Sequence, residues 1–128
     1  MPTVLVVDDE QPIVDLVRFT LEDNQVRVIE AGDGMEALEV AREHLPDLIF
    51  LDVQMPRLDG FEVCRRLRLD PDLGKTKIVM LTAASQKADR AKGQAAGADD
   101  YLTKPFSPLK LLSLVQTLLP GVVLWPVK

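Results

Sequence analysis

Carboxylates and one ammonium group stand directly after the apolar runs of this chain. The runs have the character of β-strands, and the polar residues that follow them are Asp8, Asp9, Asp52 and Lys104. If the runs are neighbouring parallel strands, their carboxyl ends meet at one edge of a sheet, where open α/β folds build their sites. Two carboxylates ~5 Å apart at an effective dielectric of ~20 repel by roughly 3 kcal/mol, and one lysine cannot balance three acids. A hard divalent cation such as Mg²⁺ could compensate the remaining negative charge, because it binds carboxylates, waters and phosphate oxygens.

The composition is that of one globular domain, with 128 residues of which 47% are hydrophobic and 27% charged. The net charge of −5 and the absence of a basic patch argue against nucleic-acid binding by this chain alone. No signal peptide opens the sequence and no apolar run approaches ~20 residues, so no membrane association is expected. The lone Cys64 leaves no internal disulfide and fits a reducing compartment. We therefore expect a cytoplasmic protein.

Strand-like and helix-like segments alternate five times along the chain. Apolar runs predict strands at residues 4–7, 26–29, 48–51 and 78–81, and around Tyr101-Leu102. The segments between them have helical spacing, with Asp33 and Ser107 as N-caps and a lightly packed helix over residues 85–96. This alternation predicts an α/β fold, a parallel sheet with helices on both faces. Residues 1–119 form the predicted domain, and residues 120–128 a C-terminal tail or linker stub.

Four dispersed motifs carry a resemblance to a known family. They are the pair Asp8-Asp9, the segment 51–60 that begins Leu-Asp52, the triplet Leu81-Thr82-Ala83, and the segment 101–106 that contains Lys104-Pro105. In this order and spacing, the chain resembles the receiver domain of two-component response regulators over about residues 3–119. The resemblance implies a flavodoxin-like (βα)5 three-layer sandwich, whose parallel five-stranded sheet has the order 2-1-3-4-5.

The resemblance also implies a reaction and a cofactor. Asp52 would be the phosphoacceptor, a nucleophile that takes a phosphoryl group from the phosphohistidine of a partner. Asp9, Asp52 and the backbone carbonyl of Gln54 would ligate Mg²⁺ directly, while Asp8 would act largely through a bound water. The domain would not be an enzyme, but a signalling domain that assists its own phosphorylation and dephosphorylation.

Three further residues would complete the site and its switch. Lys104 would pair with Asp52 and then with a phosphoryl oxygen, and Thr82 would donate its hydroxyl to another oxygen. Because a phosphoryl group adds close to two negative charges, Thr82 would move toward it and Tyr101 would rotate inward behind it. The expected result is a changed protein-interaction surface near residues 85–96 and Tyr101.

The expected partners follow from this family. Phosphoryl groups would come from a sensor histidine kinase or a phosphotransfer protein, and the switched surface would bind a downstream protein or an effector domain. Many DNA-binding relatives dimerise through charge pairs, but here Lys110 stands where they place an acid and Leu114 replaces a basic residue. We therefore expect a monomer or a weak dimer.

Three other interpretations use a similar fold. A haloacid-dehalogenase-type phosphatase would need a general acid two residues after Asp52, where this chain has Gln54. A flavin-binding module would need a phosphate loop after the first strand, which here ends in acids. A receiver-fold binding module that acts without phosphorylation remains the open alternative, and phosphoryl uptake distinguishes it.

Overall fold

A computed structural model describes residues 2–22, 26–55, 58–83 and 88–121, in which strands and helices alternate. The strands are β1 (Thr3–Val7), β2 (Arg27–Ala31), β3 (Leu48–Asp52), β4 (Lys77–Ala83) and β5 (Asp100–Lys104). The helices are α1 (Gln11–Leu21), α2 (Gly34–His44), α3 (Gly60–Leu69), α4 (Ala88–Ala96) and α5 (Pro108–Leu118). The predicted start of the fourth helix at residue 85 lies outside the described residues.

All strand pairs are parallel, and the order of the sheet is β2-β1-β3-β4-β5, which confirms the predicted fold class. The second strand begins at Arg27 and runs to Ala31, later than the predicted 26–29, and the fourth extends over Lys77–Ala83. Hydrogen bonding between strands therefore continues beyond the apolar residues on which the prediction was based.

Successive side chains of the strands point to opposite faces of the sheet, so each strand contributes to two cores. On one face, buried strand residues pack with Val14, Val17 and Leu21 of α1 and with Leu111, Leu112 and Val115 of α5. On the other face they pack against side chains from α2, α3 and the end of α4. Every residue of β3 is buried, as expected of a central strand covered on both sides.

Side-chain caps set where several helices begin. The carboxylates of Asp33 and Asp59 each accept a hydrogen bond of 2.9 Å from the backbone N–H three residues on, and the Ser107 hydroxyl accepts one of 3.1 Å. Asp33 and Ser107 thus confirm the predicted N-caps. At its other end, α2 stops at Leu45, whose left-handed backbone (φ of 46°) precedes Pro46.

No helix among the described residues is long and apolar enough to cross a membrane. The last helix ends at Leu118, and residues 122–128 of the predicted tail lie outside the described residues.

Gly60, the first residue of α3, lets that helix begin directly against the end of β3. Its N–H donates to the Val53 carbonyl at 3.2 Å, and a Cβ at this position would collide with the Asp52 carbonyl oxygen and lie 3.0 Å from the Val53 Cα.

We expect Gly60→Ala to lower the free energy of unfolding by about 1–3 kcal/mol, measured by urea denaturation. Gly32→Ala is the matched control, because no atom lies within 4 Å of its added Cβ. Equal stability of the two variants would contradict this account.

Candidate functional site

The carboxyl ends of β1, β3, β4 and β5 border a cleft of about 290 Å³. Its lining residues are Asp9, Glu10, Asp52, Val53, Gln54, Ala83 and Lys104. Asp8 is buried beside the cleft, in contact with Lys104. The structure therefore brings together the acidic residues and the lysine that the sequence predicted.

Lys104 is the cationic residue among the described residues that line this cleft. Its Nζ lies 2.8 Å from Asp8 Oδ2, 3.5 Å from Asp52 Oδ1 and 3.8 Å from Glu10 Oε1. The predicted approach of Lys104 to Asp52 is present, but Asp8 is the closer partner. The Asp8 carboxylate is fully buried, and an ion pair is strongest where solvent screens it least.

Backbone N–H groups orient two of the carboxylates. The Gln54 N–H donates to Asp52 Oδ1 at 3.3 Å, and the Glu10 N–H donates to Asp8 Oδ1 at 2.9 Å. In both cases the N–H belongs to the residue two positions after the acid. The backbone that follows the strand therefore fixes the orientation of the carboxylate. On the opposite side, the peptide bond between Lys104 and Pro105 is cis.

The charges around Lys104 do not balance. Among the described residues, the carboxylates of Asp8, Glu10 and Asp52 lie within 4 Å of this one ammonium group, and Asp9 lines the same cleft. Burial, together with the charge of Asp8, raises the pKa of Asp52 from 3.8 to about 6, although Lys104 acts in the opposite direction. Burial disfavours the charged form of Lys104, but contact with Asp8 and the neighbouring acids nevertheless raises its pKa.

The donor set fits a hard divalent cation. Asp8, Asp9 and Glu10 each offer a carboxylate oxygen, and these oxygens lie within 4.8 Å of one another. Asp8 Oδ2 is buried and accepts no directed hydrogen bond from the described residues, so its contact with the ammonium is an ion pair. Oxygen ligands and excess negative charge are what Mg²⁺ requires.

Thr82 and Tyr101 lie outside the cleft. Thr82 is buried at the end of β4, and its neighbour Ala83 lines the cleft instead. Tyr101 is partly buried and lines a separate surface groove of about 390 Å³ together with Arg90, Lys110 and others. Tyr101 is therefore not among the residues that line the cleft with Asp52.

The profile of one protein family, described as response regulator receiver domain, matches residues 4–116. The chain belongs to this family. It is a receiver domain of two-component response regulators, a signalling domain. The regulatory protein PhoP of alkaline phosphatase synthesis from Bacillus subtilis is 48% identical over 116 residues, which are 91% of this chain and 48% of that protein. The transcriptional regulator RpaA of Synechocystis is 44% identical over 119 residues, which are 93% of this chain and 49% of that protein.

Solved structures agree with this assignment. A putative response regulator from Chloroflexus aurantiacus has a TM-score of 0.89 at 36% identity, over 94% of this chain and 99% of that one. The chemotaxis response regulator CheY4 of Vibrio cholerae has a TM-score of 0.88 at 39% identity, over 93% and 99%. Although these structures match along their whole length, the chain spans about half the length of the curated relatives named above.

Glu10 is the residue of this receiver site that the sequence prediction missed. It occupies the N-cap position of α1, yet its side chain makes no capping hydrogen bond and instead lies 3.8 Å from Lys104. The signal was present, because Glu10 is the third consecutive acid after the first strand. The prediction stopped at the pair that the family motif contains.

The raised pKa of Asp52 should make the free energy of unfolding depend on pH. A carboxyl whose pKa is higher in the folded chain, here about 6 against 3.8, stabilises the fold when protonated and loses that contribution as pH rises through 6. In metal-free buffer, Asp52→Asn should therefore raise the free energy of unfolding at about pH 8 by on the order of 2 kcal/mol, and by little at about pH 4. Urea denaturation across this range, with exposed Asp72→Asn as control, measures the difference. A less stable Asp52→Asn protein at the higher pH would contradict it.

Proposed function

We propose that this receiver domain accepts a phosphoryl group on Asp52 from the phosphohistidine of a sensor histidine kinase or phosphotransfer protein. The observation that carries the proposal is the position of the Asp52 carboxylate. The residue is only 5% exposed, yet it lines the cleft, and its carboxylate lies 3.5 Å from the ammonium of Lys104. The Asp52 carboxylate would therefore attack an incoming phosphoryl group next to the positive charge of Lys104.

In the proposed reaction, a carboxylate oxygen of Asp52 attacks phosphorus while the bond from phosphorus to the histidine nitrogen breaks. The histidine ring keeps the electron pair of that bond, and Asp52 becomes an acyl phosphate. Such a transfer is governed by alignment and by neutralisation of the phosphoryl oxygens. Lys104 would contact one oxygen, and the hydroxyl of Thr82 another once that residue turns toward the cleft.

The site residues also suit the cofactor of this reaction. Asp9, Asp52 and the Gln54 carbonyl would hold Mg²⁺ directly and Asp8 through a water, and the position of Glu10 adds a further carboxylate at the mouth of the cleft. When bound, Mg²⁺ would neutralise phosphoryl oxygens and offset repulsion among the carboxylates.

The output of the domain would be a changed surface. A phosphoryl group with close to two negative charges would draw Thr82 toward Asp52 and allow Tyr101 to turn inward. We infer that a downstream protein or an effector domain reads this change, with residues 120–128 as a tail or linker and the receiver as a monomer or weak dimer. The unpaired thiol of Cys64 supports a cytoplasmic location.

Phosphoryl uptake tests the role of Asp52. The native chain with acetyl phosphate and Mg²⁺ should gain the mass of one phosphoryl group, and the gain should disappear with EDTA or with Asp52→Asn. Asp72→Asn, which removes an exposed acid in a turn, should behave as the native chain. Uptake by the Asp52→Asn protein would refute the site. Failure of the native chain to be labelled would favour a binding module that acts without phosphorylation.

Lys104 should affect the rate of this uptake. Lys104→Met removes the ammonium that would meet the phosphoryl oxygens, and loss of such a charge slows comparable reactions by about 100-fold. Exposed Lys75→Met is the matched control, because it removes the same charge from a turn. Initial rates of mass gain at fixed acetyl phosphate measure the effect. Equal rates for the two variants would show that Lys104 does not take part.

A further inference from the structure

Arg90 of α4 covers the ring of Tyr101. The carbon at the centre of its guanidinium lies 4.2 Å from the ring centroid, within the range of a cation–π contact. Nothing competes strongly for either group among the described residues. No carboxylate there forms a salt bridge with Arg90, and the nearby Asp100 accepts the N–H of Tyr101 at 2.8 Å. Among the described residues, the guanidinium therefore contacts the tyrosine ring and forms no salt bridge.

The C-terminal end of α4 is held by several hydrogen bonds. At the C-terminal end, Arg68 of α3 donates to the Gly97 carbonyl at 2.8 Å and pairs with Asp99 at 2.7 Å. The Cys64 thiol also donates to the Ala96 carbonyl at 3.4 Å. This end of the helix is thus bonded to α3 and to the residues that precede β5.

The rest of the helix packs lightly. Over residues 90–96, only Gly93 and Ala96 are buried, so no large apolar side chain anchors α4 to the sheet. Among the described residues, the stack of Arg90 on Tyr101 is a side-chain contact that ties this part of the helix to β5. A rotation of the tyrosine about its Cα–Cβ bond would carry the ring away from the guanidinium and break the stack.

We propose that Arg90 is a positioning residue that holds Tyr101 at the surface and so opposes the switch before phosphorylation. This inference rests on the proposed function, because it assumes that Tyr101 turns inward when Asp52 is phosphorylated. A cation–π contact at an exposed site favours the stacked state about two- to fivefold. Loss of Arg90 should raise the ratio of inward to outward Tyr101 by the same factor.

The chain provides a matched control on the same helix. Lys92 is also exposed, and its Nζ lies 5.9 Å from the ring centroid of Phe61 in α3. Lys92→Met therefore removes a cation over an aromatic ring, as Arg90→Met does, but leaves Tyr101 covered. Methionine retains an unbranched apolar stem in both variants, so the comparison isolates the charged group.

Fluorine NMR can follow the switch directly, because Tyr101 is the only tyrosine of the sequence. With 3-fluorotyrosine incorporated, the spectrum of the native chain gives the resting position, and the spectrum with beryllofluoride and Mg²⁺ gives the switched one. In the unmodified domain, we expect Arg90→Met to shift the signal toward the switched position by a two- to fivefold change in ratio. Lys92→Met should not shift it, and Arg90→Lys should restore part of the native position.

Each outcome separates the two proposals. If beryllofluoride moves the native signal but Arg90→Met leaves the resting signal unchanged, the role of Arg90 is wrong and the switch stands. An equal shift in Lys92→Met would also refute it, because the effect would then be general to α4. If beryllofluoride does not move the native signal, the tyrosine switch itself fails and the role of Arg90 fails with it.

Discussion

Repulsion among neighbouring carboxylates, three of which lie within 4 Å of one ammonium group, is the constraint on which the site of this receiver domain depends. Lys104 contacts Asp8, Asp52 and Glu10, and it is nearest to the acid that is most deeply buried. Burial, and after it the charge of Asp8, raises the pKa of Asp52 to about 6, although Lys104 acts in the opposite direction. Such a cluster of carboxylates attracts cations, because each positive charge that binds there reduces their mutual repulsion.

The scaffold keeps these charges together. β3 is buried along its whole length, and it delivers Asp52 to the sheet edge from the centre of the molecule. Gly60 allows α3 to begin against the same strand end, where any side chain would collide with the backbone. The two cores hold these strands from both faces, so the backbone that carries the buried Asp8 and Asp52 is fixed, whereas Asp9 and Glu10 are exposed.

The domain combines this rigid edge with one weakly held region. The neighbouring strands β4 and β5 carry Thr82 and Tyr101, and the lightly packed α4 lies beside them, bonded at its C-terminal end by Arg68. Over residues 90–96 only Gly93 and Ala96 of α4 are buried, so a displacement of this part of the helix would break few apolar contacts. This division matches the two requirements of a signalling domain, a precise site and a surface that can change.

The sequence alone determined the elements and the identity of the main site residues, because both depend on local patterns. Apolar runs located the strands, and Asp33 and Ser107 marked the N-termini of their helices. The residues at the strand ends were the site residues, Asp8, Asp9, Asp52 and Lys104. The strand order came from the family resemblance. Only the tertiary structure decided which side chains meet. It placed Lys104 nearer Asp8 than Asp52, brought Glu10 into the cleft and stacked Arg90 on Tyr101. These pairings depend on burial and on distances between elements far apart in the chain, which no local spacing encodes.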